Sequence, residues 1–169
     1  RRYASGFSIG SKGYIGTGDT GTFHMQDFWE YDPGFDIWTR KADFGGTARG
    51  SAVGFRIDTK GYIGTGYDGT YLQDFWEYDP GSDAWRQKAD FGGSSRNNAV
   101  GFSIGINGYI GTGFDGIIKN DFWEYDPLVN TWTQKANFGG DARSAAVGFS
   151  IGSKGYIGTG HDQNEKQDF

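Results

Sequence analysis

Arginine recurs at positions 1, 49, 96 and 143 of this 169-residue chain, each time a few residues ahead of a Gly-Phe pair. A guanidinium is a planar fork of N–H donors that matches a carboxylate or a sulfate. Four of them on one surface could hold an acidic peptide or glycan. The same fork also suits a structural post that bonds loop carbonyls or pairs with a carboxylate of the next unit, such as Asp43, Asp90 or Asp141. A second candidate set is aromatic. Phe23, Tyr67, Tyr71 and Phe114 stand beside polar residues in short variable stretches. There a ring can serve a sugar face or a protein anchor, or pack beneath its own loop.

Other chemistry is thinly represented. His24 and His161 occupy different phases of the sequence and neither recurs, so both read as solvated residues rather than catalytic or metal-binding ones. With no cysteine, disulfides and thiolate metal sites are excluded. No Ser-His-Asp set can be assembled. Asp27, Asp74, Asp121 and Asp168, like Glu30, Glu77 and Glu124, repeat at fixed phases. That favours a structural role over a single acid/base pair. Oxygen donors cluster in YDGTYLQD, but their spacing matches no calcium loop. The expectation is a non-catalytic protein with no cofactor and no metal. A net charge of -5 argues against a nucleic-acid partner, which requires a basic surface. No apolar run is long enough to span a bilayer.

These candidates are spaced by a repeat. GYIGTG begins at Gly13, Gly61, Gly108 and Gly155, and DFWEYDP at Asp27, Asp74 and Asp121, with the next Asp of that phase at Asp168. The units run 1–48, 49–95 and 96–142, with a partial unit at 143–169. Each holds four stretches of strand character, A to D. In the second unit they are Ser51–Ile57, Gly61–Gly66, Phe75–Pro80 and Ala84–Phe91. Turn residues separate A from B (GSK, DTK, GIN) and C from D (DPGFD, DPGSD, DPLVN). No stretch has helical periodicity. Four-stranded antiparallel meanders at this period predict an all-β fold, a β-propeller of about three and a half blades, rather than a shorter-period solenoid. In such a meander the B–C loops and the D–A crossings lie at one end of each blade. The variable loops (eight residues in the first unit, seven in the others) and the arginines therefore share one face. Trp29, Trp76 and Trp123 on stretch C, and Trp38, Trp85 and Trp132 on stretch D, read as blade-to-blade packing.

GYIGTG, then WEYDP, then a Trp (Trp38, Trp85, Trp132) and then an Arg resembles the kelch repeat of the galactose-oxidase-like superfamily, in a variant that splits the glycine pair, as in Gly64-Thr65-Gly66. The likeness covers the whole chain and is nearest to kelch-like arrays of bacterial secreted and surface proteins. It implies a propeller and an extracellular or cell-surface setting, but no activity. It also implies that Arg1, Arg49, Arg96 and Arg143 line a central pocket for acidic ligands. The copper oxidases of that superfamily need a Cys that this chain lacks. The resulting expectation is a binding scaffold for a protein, peptide or glycan. The alternatives are a structural module of a surface fibre or adhesin, or a sugar-processing enzyme. Because sheet edges stay open at both ends, the chain reads either as a segment of a longer array or as a unit whose copies close a ring together.

Overall fold

The protein was described from a computed structural model that covers residues 1–162 and 164–168. Gln163 and Phe169, both in the unit 143–169, lie outside the described residues. Among the described residues, fourteen strands build four antiparallel sheets in chain order, without crossovers. The first blade is β1 (Ser5–Ile9), β2 (Lys12–Gly16), β3 (Phe28–Asp32) and β4 (Ile37–Lys41). The second is β5 (Val53–Ile57), β6 (Lys60–Gly64), β7 (Phe75–Asp79) and β8 (Ala84–Gln87). The third is β9 (Val100–Ile104), β10 (Asn107–Gly111), β11 (Phe122–Asp126) and β12 (Thr131–Lys135), and β13 (Val147–Ile151) pairs with β14 (Lys154–Gly158). The A strands β1, β5, β9 and β13 pack on one another in sequence. This is the blade arrangement of a β-propeller.

Register is fixed by the turns. In β5–β6, Val53 faces Gly64 and Ile57 faces Lys60, which leaves the two-residue turn Asp58-Thr59 with Asp58 at φ 52°, as such hairpins require. In the C–D turns an aspartate side chain caps the bend: Asp79 Oδ1 accepts from Gly81 N at 2.9 Å. Burial does not alternate along β7, where Phe75 and Tyr78 are both fully buried, because a blade between two others hides both of its faces.

Adjacent blades meet as ring into groove. Phe7 of the first blade lies over Gly61 of the second, where a Cβ would come within 2.2 Å of the ring. Phe55 sits against Gly108 and Phe102 against Gly155 in the same way, at 2.6 and 2.4 Å. Further out, Trp85 wedges edge-on between Phe28 and Phe44, each at 5.0 Å, and its indole N–H donates to the Ala42 carbonyl. Trp132 repeats the contact on Phe75 and Phe91 and donates to Ala89. Trp76 and Trp123 cover Gly45 and Gly92 of the preceding crossings. These four pack blade against blade. Trp38, on the D strand of the first blade, is mostly exposed. Trp29 is half-buried and bonds Asp27 at 2.7 Å.

Buried or half-buried phenols tie B strands to C strands. Tyr62 donates to Glu77 at 2.6 Å, Tyr14 to Glu30 at 2.7 Å and Tyr109 to Glu124 at 2.6 Å. Burial first, and then the facing carboxylate, pushes the Tyr109 phenol up to about 12 and those of Tyr14 and Tyr62 higher still. A phenol with a raised pKa stabilises the fold fully below its unfolded value, about 10. That contribution is lost as pH rises through the folded value. Absorbance at 295 nm and far-UV dichroism are therefore expected to show these tyrosines ionising together with loss of the sheet signal. Their complete ionisation while dichroism stays native would refute this.

Candidate functional site

The arginines are part of the frame. Arg49, Arg96 and Arg143 are fully buried. Arg49 donates from Nε to the Thr47 carbonyl (2.9 Å), from Nη1 to the Thr65 carbonyl (3.0 Å) and Asp74, and from Nη2 to Asp74 (2.7 Å) and the Thr47 hydroxyl (3.1 Å). The guanidinium carbon lies 4.9 Å from the centre of the Phe44 ring. Arg96 repeats this with Asp121 and Phe91, and Arg143 with Asp168 and Phe138. The five donors of Arg49 and Arg96 are all occupied, so no fork faces a ligand there. Arg1 is exposed and pairs with Asp27 and the Thr17 carbonyl. The carboxylate partners are also not Asp43, Asp90 and Asp141. They belong to the same blade, at the entry to its C strand. Asp43 pairs with Arg40 instead, and Asp141 with Lys166.

What the arginines hold in place is a mouth around the axis. The GTG turn bends sharply: Thr65 has φ 58° and Gly66 φ 104°, the second of which a glycine adopts without strain. The bend points Gly66 N–H at the Arg96 carbonyl of the next blade, 2.8 Å away. Just past each arginine, Tyr3, Ser51, Asn98 and Ala145 all take left-handed backbone angles, φ 50° to 57°. Their peptides form a chain of hydrogen bonds around the axis. Ser51 N donates to Tyr3 O (3.0 Å), Asn98 N to Ser51 O (3.1 Å) and Ala145 N to Asn98 O (2.9 Å). Left-handed non-glycine residues cost energy and persist where the surroundings enforce them.

Outside this girdle each blade adds a small ladder. Arg2, Gly50, Asn97 and Ser144 bridge to Asp19, Tyr67, Phe114 and His161, which bridge in turn to His24, Tyr71, Ile118 and Glu165. The side chains at these three phases differ from blade to blade while the scaffold around them repeats. The rings of Tyr67 and Tyr71 lie 5.5 Å apart, Tyr71 meets Phe114 edge-on at 5.8 Å, and His24 approaches Tyr67 at 6.2 Å. A shallow cavity of about 240 Å³ opens among Asp19, His24, Tyr67, Asn97 and Asn98. Arg2 and Asp19 pair beside it at 2.9 Å, and the Arg2 hydrogen bond is the main cause holding the Asp19 carboxyl below its usual range. His24 Nδ1 is buried without a hydrogen-bond partner.

Of the four expected aromatic site residues, the structure brings three together. Tyr67, Tyr71 and Phe114 form one line of rings, whereas Phe23 is exposed on the longer first loop, in an adjoining cleft with Arg2, Asp19 and Thr22. Arg2, Asp19, His24, Asn97 and Asn98 were missed. The signal that could have found them is positional: the residue after each arginine and the residue after each GTG vary inside a repeat that otherwise holds still. Another cavity, lined by Phe102, Phe122, Ala136, Phe138 and Ile157, corresponds by repeat phase to the seat of Trp132 on Phe75 and Phe91, which marks it as a blade-packing socket. Among the described residues no group of three His, Asp or Glu side chains could hold a metal ion. No helix among them is long and apolar enough to cross a membrane.

Comparison with known proteins is informative at the level of fold. No family model matches the chain, and neither does any curated protein. Solved structures do match. One, described as the structure of YjhT, superposes with a TM-score of 0.81 over 95% of this chain at 18% identity. The chain spans 58% of that longer one. Similarity at this identity concerns the blades and their arrangement.

Proposed function

We propose that this chain is a kelch-type propeller scaffold that binds rather than catalyses, and that its ligand, a protein, peptide or glycan, is met at the mouth bordered by Tyr67, Tyr71, Phe114, Asn97 and Asn98. The observation that carries this reading is where the repeat varies. Variation concentrates on the ladder residues around the axis, and there aromatic faces, amides and phenol hydroxyls stand together.

A glycan suits this set best. Sugar C–H faces stack on rings, and sugar hydroxyls pair with amides and carboxylates of the kind that Asn97, Asn98 and Asp19 present. The buried arginines support the loops from below rather than touching the ligand. An extracellular or bacterial cell-surface setting goes with this reading and rests on the likeness of the repeat to bacterial surface arrays. Near-identity of the blades also favours a second reading, a structural module of a surface fibre or adhesin.

The test is a printed glycan array followed by calorimetry with the best-bound oligosaccharide. Tyr67→Ala is expected to weaken that binding about tenfold or more, in line with loss of a stacked aromatic anchor, with an unchanged melting temperature. An array without hits would favour the structural module. A hit that Tyr67→Ala and Asn98→Ala leave intact would move the site away from the mouth.

A further inference from the structure

The cavity at the mouth owes its opening to one residue. At the first rung of the ladder the blades carry Arg2, Gly50, Asn97 and Ser144, and only Gly50 lacks a side chain. A Cβ there would come within 3.3 Å of Asp19 Oδ2 and 3.5 Å of Tyr3 Cβ. The space that a side chain takes at the other rungs is thus left open between the first and second blades. The Gly50 backbone is satisfied, since its N–H and its carbonyl both pair with Tyr67 at 2.9 Å.

The carboxylate beside that gap is only half used. Asp19 Oδ1 accepts from Arg2 Nε at 2.9 Å and from Gly21 N at 2.8 Å. Among the described residues no donor reaches Oδ2, the oxygen that faces the space above Gly50. The Asp19 side chain is 13% exposed, so a donor seated in the cavity would meet this oxygen at low local dielectric. Arg2 does not line the cavity; it stands in the adjoining cleft with Phe23. One wall is therefore anionic, and the rest offers the amides of Asn97 and Asn98, the Ser51 hydroxyl and the His24 ring.

We propose that this cavity is a subsite for one neutral hexose ring, with Asp19 as its specificity-determining residue. Sugar hydroxyls donate to Asp19 Oδ2, and a face of the ring lies on Tyr67. The inference rests on the glycan reading above and narrows it. A hydroxyl both donates and accepts, which suits a lone acceptor beside amides that do both. Pockets for drug-sized ligands start at about 300 Å³, so the roughly 240 Å³ here admits a single ring. An acidic sugar is refused, because its carboxylate would stand against that of Asp19 and no Lys or Arg lines the cavity to offset it. The acidic ligand that the kelch likeness implies loses its reason once Arg49, Arg96 and Arg143 are buried.

The experiment is a glycan array that carries each terminal hexose in neutral and in uronic form, glucose beside glucuronic acid for instance. Calorimetry follows, with the best-bound neutral oligosaccharide and its uronic counterpart. Wild type is expected to bind the neutral member at least about tenfold more tightly, the scale of one hydrogen bond to a charged group. Asp19→Asn keeps an oxygen for Arg2 and Gly21 but removes the charge. It is expected to weaken neutral binding about tenfold and to bring the pair close to parity. Gly50→Asn sets at this rung the side chain that the third blade carries, and is expected to weaken both members alike. Far-UV dichroism and melting temperature check the fold of each variant, and Asp19→Asn tests the charge by itself should Gly50→Asn not fold. A wild type that takes the uronic member as well as the neutral one would overturn the proposal. So would an Asp19→Asn variant with unchanged preference, or a folded Gly50→Asn variant with unchanged affinity. If Tyr67→Ala still weakens binding in those cases, the mouth stands as the glycan site and only this inference falls. An array without hits removes both.

Discussion

Arg96→Ala is expected to cost the protein about 3–5 kcal/mol, the usual penalty for removing one partner of a buried ion pair. The charge itself is only part of the reason. Arg96 bonds the Ser94 carbonyl (3.0 Å) and hydroxyl (3.1 Å), the Thr112 carbonyl (2.8 Å) and both oxygens of Asp121. It thus joins a D–A crossing, a GTG turn and the start of a C strand. Its own carbonyl accepts from Gly66 of the preceding blade. Alanine leaves the acceptors in place and takes away every donor. Lysine offers a point charge that cannot span the same partners, so Arg96→Lys is expected to recover little. Replacing both members, as in Arg96→Met with Asp121→Leu, is expected to lose less than Arg96→Ala alone, since no buried charge is then left behind.

The pH profile separates this explanation from simple loss of packing. Burial pushes the Asp121 carboxyl up, but the hydrogen bonds from Arg96 and Trp123 outweigh it and hold it below the ordinary value. A depressed carboxylate contributes stability above its unfolded pKa, about 3.9, and that stability is lost as pH falls through the folded value. Without Arg96, only the Trp123 bond and the Lys119 charge oppose burial, the largest single effect, and the carboxyl is expected to rise. The variant should therefore gain stability on mild acidification, where wild type gains none from this group. Urea midpoints followed by tryptophan fluorescence between pH 7 and pH 4 measure the difference. Parallel profiles for the two proteins would refute the account.

Much of the architecture was legible because a repeat states every element several times. All four stretches of the second unit became strands, displaced by a few residues at their ends. The displacements have causes. Ser51 is left-handed and cannot belong to β5, and Thr65-Gly66 turns away from β6 to reach the next blade. The arginines were harder. Asp43 and Asp90 recur at one phase (Asp141 lies outside it, four residues late) and Asp74, Asp121 and Asp168 at another, so periodicity offered two partner series and could not choose. Tertiary geometry chose the second, because the guanidinium runs back along its own blade to the C strand. The ladder residues at the mouth escaped for the opposite reason. Arg2, Asp19, His24 and Asn97 do not repeat, so none looks like part of a pattern, and only the fold places them around one axis.

Gly61→Val is expected to destabilise the chain by at least about 1–3 kcal/mol, the range for overpacking a close contact. The first methyl-sized atom added there already overlaps the Phe7 ring, and that ring is held between Tyr14 and Phe28, at 5.8 and 5.9 Å. It has little freedom to retreat. If the collision is the cause, Phe7→Ala should relieve it. The double variant would then be more stable than the sum of the two single losses predicts, a coupling that a double-mutant cycle in urea reads directly. Strict additivity would mean that valine harms the strand for some other reason. Gly13→Val is the control. Its position in the repeat and its neighbours in sequence match those of Gly61, yet a Cβ there meets only Tyr31 Cβ, at an ordinary contact distance of 3.9 Å, and β-propensity favours valine in a strand. It is expected to leave the urea midpoint unchanged or slightly raised. One glycine phase of the repeat thus makes room, at each junction within the stack, for the ring of the neighbouring blade.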